Sequence, residues 1–356
     1  MKKSMKLGVK TAAVILGAVT LMSGCGSSIA PDEVAATLNG TDIKAGTANF
    51  IAKYNQAQMD GMYGMYVQSG YMAEDYWNQE VTTGSSMQDS SKSNIMDSIE
   101  EYYLCDQKKG NYKVEVTEEE QKKISEAAKK FMEDNSSRAI RQSGASIETV
   151  SEMLRLMTVQ KHVYDAVTDE TDIEVSDEDA AQKAISYLTV AIDSYYDDNQ
   201  NKIEYTEEES KELREKVDNV KLRVDAGDDF DTVVKEVMGE KYSVTSRTFG
   251  KDEADLADNV LEAISSLKEG EYTDVLEVED AGQLWLVRLD SEYDEEATKA
   301  KKEELITEKK DEYYTSKIDE WKKDAEWKVN EDVWAKVKFS PLFNVVSNES
   351  DTTTDQ

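Results

Sequence analysis

Catalysis needs nucleophiles, titratable groups or metal ligands in workable sets, and this chain of 356 residues holds few of them. Histidine occurs once, at His162, near the end of an apolar-striped helical stretch. A lone imidazole there is expected to be a partly buried helix residue rather than a general base or a ligand. Asp197, Asn199, Asn201 and Glu208 fall at the spacing of a calcium loop. Lys202 stands where that loop needs its turn glycine, so an exposed acidic insertion is the expectation. A cation-binding surface scaffold stays open as an alternative. No zinc-ligand spacing, phosphate-cradling glycine loop or Ser/His/Asp set can be assembled, and no metal or cofactor is expected.

Cys25 has the most specific surroundings of any reactive side chain. Lys2, Lys3, Lys6 and Lys10 precede an apolar run from Thr11 to Thr20, and Leu21-Met22-Ser23-Gly24-Cys25 follows. The run is too short to cross ~30 Å of hydrocarbon, which takes ~20 residues. The pattern resembles the bacterial lipobox, which implies removal of a signal peptide at 1–24, acylation of Cys25 and a tether over 25–33. The chain is then expected to work outside the cytoplasm, held at the outer face of the membrane by lipid alone. Cys105 would be the one remaining thiol, so no intramolecular disulfide is available and burial must hold the fold.

The formal charge is −33, and loss of the four leader lysines takes it to −37. Such acidity argues against nucleic acid and anionic lipid as partner surfaces. It favours a soluble body that stands off from an anionic membrane.

The elements that must position these residues begin at Val34. Val34 to Leu38, Asn39-Gly40, and Thr41 to Ile43 read as a short hairpin, because Asn and Gly both tolerate positive φ. A helix follows, with Phe50, Ile51, Tyr54 and Ala57 on one face. Met59 to Trp77 is crowded with Met62, Tyr63, Met65, Tyr66 and Trp77, among others. Methionines and amphipathic aromatics suit a surface that accepts varied apolar sequences, so these five are candidate client-binding residues. A core helix pair broken by Gly61, Gly64 and Gly70 is the competing expectation. Val81 to Ser93 reads as a polar loop, and Ser93 to Thr168 as three helices. The second of these is capped at Thr117, and the third starts around Gly144-Ala145-Ser146.

From Ala184 to Leu289 the order is strand, acidic insertion, charged helix, apolar helix, turn, short helix and strand. Ala226-Gly227-Asp228-Asp229-Phe230 forms a helix junction, Thr248-Phe249-Gly250 a turn, and Ala263 to Glu271 carries Leu267-Lys268 and Gly270-Glu271. These phrases resemble the parvulin family of peptidyl-prolyl isomerases. The hairpin entering a helix after a lipobox is similar to the start of SurA and PrsA-type extracytoplasmic chaperones. The resemblance implies an α+β architecture, a mostly helical SurA-like chaperone domain with an inserted parvulin-like βα domain. Boundaries are expected at 34–175 for the helical domain and 176–292 for the insertion. A C-terminal helix at 293–340 returns to the first domain, and a disordered tail covers 341–356. A short strand is expected within Val329 to Phe339.

The residues that match the family's active positions are rewritten. Tyr187 and Trp285 fall where parvulins place histidines, Thr245 where they place an acid or cysteine, and Leu256 and Val260 where they place a methionine and phenylalanine. Prolyl isomerisation must lower a barrier of ~18–20 kcal/mol. In parvulins, a histidine–acid network surrounds the rotating peptide. Tyr187, Thr245 and Trp285 cannot reproduce it, whereas Leu256, Val260 and Trp285 could line a groove for extended segments. The expected function is a lipid-anchored foldase that holds unfolded, newly secreted polypeptides with little or no isomerase activity. An active isomerase and a homodimer stay open.

Overall fold

The computed structural model describes residues 29–197, 199–251 and 256–343. The leader, Cys25 and the lipobox lie outside the described residues, as does the tail from 344.

In chain order, β1 (Val34–Leu38) and β2 (Thr41–Lys44) lead into α1 (Ala45–Gln68). After a single 3-10 turn, β3 (Glu80–Thr82) and β4 (Ser85–Ser86) precede α2 (Met87–Lys108), α3 (Glu118–Asp134), α4 (Ser137–Ser143) and α5 (Ile147–Thr168). Then come α6 (Asp177–Ala180), β5 (Lys183–Ala191), β6 (Ser194–Tyr196), β7 (Lys202–Glu204), α7 (Glu207–Asp225) and α8 (Phe230–Met238). β8 (Thr245–Phe249), α9 (Asp258–Ser265), β9 (Leu276–Val278) and β10 (Gln283–Ser291) follow, and α10 (Glu295–Lys323), β11 (Trp327–Val329) and α11 (Glu331–Trp334) end the series. Helices with small antiparallel sheets make this an α+β protein.

The described residues divide into two compact units, one from the segments up to 171 and from 312 onward, the other from 172 to 311. In the first, local sequence sets the helix starts. Ser86 with Asp89, Thr117 with Glu120, and Ser146 with Thr149 form reciprocal capping boxes on α2, α3 and α5. Each cap contributes about 1 kcal/mol by satisfying amides the helix cannot. Asn39 and Gly40 both take positive φ, 50° and 79°, in the turn joining β1 to β2. β11 completes that sheet on the other edge of β1, with Trp327 opposite Leu38. The core gathers Phe50, Ile51, Ile99, Leu104, Phe131, Val159 and Val163, and the Phe50 and Phe131 rings meet edge to face at 5.5 Å.

Four local expectations are corrected. Gly61 and Gly64 do not break α1, because a glycine costs a helix interior only ~1 kcal/mol against alanine and the buried first half of α1 is anchored. Only Gly70, at φ 73°, turns the chain. Val81 to Ser93 is not a loop: it holds the β3–β4 hairpin, and the capping box at Ser86 starts α2 within it. Val329 to Phe339 is a strand only at its first residue; Asn330 caps α11 instead. The tail does not begin at 341, because Phe343 is buried against Ala57 and Ala139.

In the second unit, four antiparallel strands run in the order β8-β5-β10-β9. Alternation divides the side chains between two faces. Leu188, Val190, Leu284 and Leu286 pack on α7 and α8, through Val217, Val220, Phe230 and Val234. Ile185, Val287 and Leu289 pack on Phe249, Leu256 and α9. Asp229 caps α8 by accepting the Thr232 amide.

Candidate functional site

The face of the sheet that carries α9 assembles the positions where a parvulin would work. In register, Tyr187 on β5 lies opposite Thr245 on β8 and opposite Val287 on β10. Trp285 is two residues from Val287 on the same strand, so it is a diagonal neighbour of Tyr187 on one face. Their rings stack at 4.9 Å with an interplanar angle of 14°. Trp285 donates its indole N–H to Gln283 Oε1 at 3.3 Å. Both rings are half-buried and Thr245 beside them is exposed.

Leu256 and Val260 share this cluster, but both are buried against the sheet. They pack in one apolar cluster with Ile185, Val287 and Leu289, and the Tyr187 and Trp285 rings lie against that cluster. What meets solvent is Tyr187, Trp285 and Thr245. The site can offer flat aromatic contact and a hydroxyl, but no imidazole to shuttle or share a proton. The sole histidine, His162, is on α5 in the first unit, with Nε2 3.0 Å from Glu120. Asp197 is committed to its own hairpin, where it accepts the amides of Asn199 and Asn201 at 2.9 and 2.8 Å.

The second candidate surface splits in two. Met62, Met65 and Tyr66 are 57%, 73% and 53% exposed, spaced along one side of the last turns of α1, and Tyr71 beyond them is 85% exposed. Tyr63 is half-buried and meets Tyr76 edge to face at 5.6 Å. Trp77 is corrected from surface to core. It is 2% exposed, and its indole N–H bonds Asp60 Oδ1 at 2.8 Å.

Asp60 belongs to a buried polar network that the sequence reading missed. It accepts from the Tyr76 hydroxyl, from Gln56 Nε2 at 3.1 Å and from the Phe343 amide at 2.7 Å. Burial raises the Asp60 carboxyl pKa, and these four donors hold it back. Lys53, also buried, donates to Gln56 Oε1 at 3.0 Å and to the Lys338 carbonyl. Burial lowers its pKa to about 8. A signal was present, since Lys53, Gln56 and Asp60 recur at helical spacing within the stripe that Phe50 and Ala57 mark as buried.

Solved structures similar to this chain include the foldase protein PrsA of Lactococcus lactis, with TM-score 0.34 and 15% identity over 86% of this chain and 97% of that one. PrsA of Streptococcus pneumoniae gives 0.32 and 15%, over 73% and 98%. A match among the SurA-like chaperones PEB4 and Cj1289 of Campylobacter jejuni gives 0.28 and 9%, over 83% and 98%. At those scores the function has to be read from this chain's own residues. No protein-family model matches the sequence, and no curated protein does.

Proposed function

We propose that the protein is an extracytoplasmic holding chaperone of the foldase type, tied to the outer face of the membrane by lipid on Cys25. It binds unfolded exported polypeptides through exposed Met and Tyr side chains and has little or no prolyl isomerase activity. The observation that carries the holding role is the patch of Met62, Met65, Tyr66 and Tyr71 at the end of α1, more than half exposed at every member. Soluble proteins rarely present contiguous large apolar side chains without a partner for them. Methionine and tyrosine adapt to varied apolar sequences at modest entropic cost. The formal charge of −33 keeps such a surface from self-association. The low isomerase activity follows from the Tyr187–Trp285 stack, which supplies apolar area where an imidazole pair would be needed. Suppression of aggregation of a chemically unfolded protein tests the holding role. Suppression at near-stoichiometric amounts supports it, and aggregation at the uncatalysed rate contradicts it.

A further inference from the structure

The exposed Met and Tyr patch at the end of α1 lies in a stretch of one-sided charge. Between Lys53 and Lys92 the chain has no lysine, arginine or histidine, but it carries Asp60, Glu74, Asp75, Glu80 and Asp89. The two bounding lysines do not restore the balance at the surface, because both are buried. Lys53 donates to Gln56, and Lys92 to the Trp334 carbonyl at 2.9 Å. Asp60 and Asp89 are engaged within the fold, the first by buried donors and the second in the cap of α2. Glu74 and Asp75 are different. Both are exposed, and neither side chain has an ion pair or hydrogen bond among the described residues. The chain turns back after α1 and sets them beside the patch. The Tyr71 and Met72 amides both donate to the Tyr66 carbonyl, at 2.9 and 3.1 Å. Further on, the Tyr76 ring meets Tyr63, and its hydroxyl reaches Asp60. Residues 71–76 therefore run back along the last turns of α1, with Glu74 and Asp75 between those two anchor points.

We propose that this patch selects client segments in which lysine or arginine stands among apolar residues. Glu74, Asp75 and the exposed rings of Tyr66 and Tyr71 supply that preference. An apolar surface rimmed by carboxylates attracts a cationic segment and repels an anionic one of the same apolar content. An exposed tyrosine ring presents a negative face on which an ammonium or guanidinium group can rest. The aliphatic stems of lysine and arginine add apolar contact with Met62 and Met65 while their charged heads stay in water. Segments that carry acids meet the same carboxylates as a penalty, so selection works by exclusion as well as by attraction. The inference rests on the holding role proposed above and names the segments that role takes.

The test uses the full chain and labelled peptides that share the same leucine and phenylalanine residues and differ only in carrying lysines, glutamines or glutamates between them. At about 0.02 M salt the lysine peptide is expected to bind about tenfold more tightly than the glutamate peptide, with the glutamine peptide between them. At about 0.5 M salt, where the charges are screened within a few ångströms, the ratio is expected to fall below about threefold. Glu74→Gln and Asp75→Asn together are expected to lower the low-salt ratio by about threefold or more. A low-salt ratio near one, or a ratio that the double variant leaves unchanged, overturns the proposal. Should that variant fail to fold, a wild-type ratio unmoved by salt overturns it instead. Equal binding of all the peptides removes the charge preference and leaves the holding role standing. Binding of none removes the patch as a holding surface as well.

Discussion

Trp285 and Tyr187 stack at 4.9 Å across the β5–β10 pair, on the face where Thr245 is the exposed neighbour. Two rings in van der Waals contact contribute to folding as well as to binding, about 0.5–1.5 kcal/mol beyond the area they cover. Trp285→Ala is expected to lower the urea midpoint of the protein by an amount worth about 2–3 kcal/mol in all. It is expected to leave the rate of prolyl isomerisation of a model peptide unchanged, as the proposed holding role without isomerase chemistry requires.

The exposed patch on α1 gives the opposite split. Replacing Met62, Met65 and Tyr66 together by serine removes apolar surface that packs on little. Stability is expected to change by no more than about 1 kcal/mol, mostly through serine's weaker helix propensity. Aggregation suppression is expected to fall several-fold. Thermal unfolding and light scattering on the same preparation measure both.

Asp60 is the acceptor on which four buried or half-buried donors converge. Asp60→Ala strands the Tyr76 hydroxyl, the Trp77 indole N–H, Gln56 and the Phe343 amide. With each unmade buried hydrogen bond costing ~1–3 kcal/mol, a loss of roughly 3 kcal/mol or more is expected in equilibrium denaturation.

Lys53 makes stability depend on pH in a definite direction. Its pKa is lowered from 10.5 to about 8 by burial. Between those values the unfolded chain binds a proton that the folded chain does not, so its contribution to stability rises with pH. The slope due to this group approaches ~1.4 kcal/mol per pH unit above pH 8 and vanishes below it. Lys53→Met is expected to remove that rise between pH 8 and 9.5 in urea titrations.

Cys105 is buried, and its sulfur lies 3.3 Å from the Tyr314 hydroxyl. Burial pushes its thiol up to about 12, so almost no thiolate exists at neutral pH. Alkylation by iodoacetamide is expected to be negligible on the folded protein and complete in denaturant.

Local signals carried the elements that sequence made legible. Asn39-Gly40 wrote its own turn, Thr117 its cap, and the alternation from Ile185 to Ile192 its strand. The phrases around Gly227 and Ala263 carried the resemblance that singled out Tyr187, Thr245 and Trp285, but their shared sheet face comes from the strand register. Contacts between distant segments were not legible. Trp77 read as either surface or core, and the contact that decides for core is with Asp60, 17 residues earlier in the chain. The burial of Leu256 and Val260 was not legible, because it depends on Val287 and Leu289 on a distant strand. Pro341 to Phe343 read as tail because their partners, Gln56 and Asp60, come some 285 residues earlier.

Holding without isomerisation is the central claim, and refolding of a proline-limited protein in the presence of this chain tests it most directly. The slow phase is expected to keep its uncatalysed rate while the folded yield rises with the amount of chain added. A slow phase that quickens at one part in a hundred, and returns to its uncatalysed rate with Tyr187→Ala or Trp285→Ala, would contradict the account.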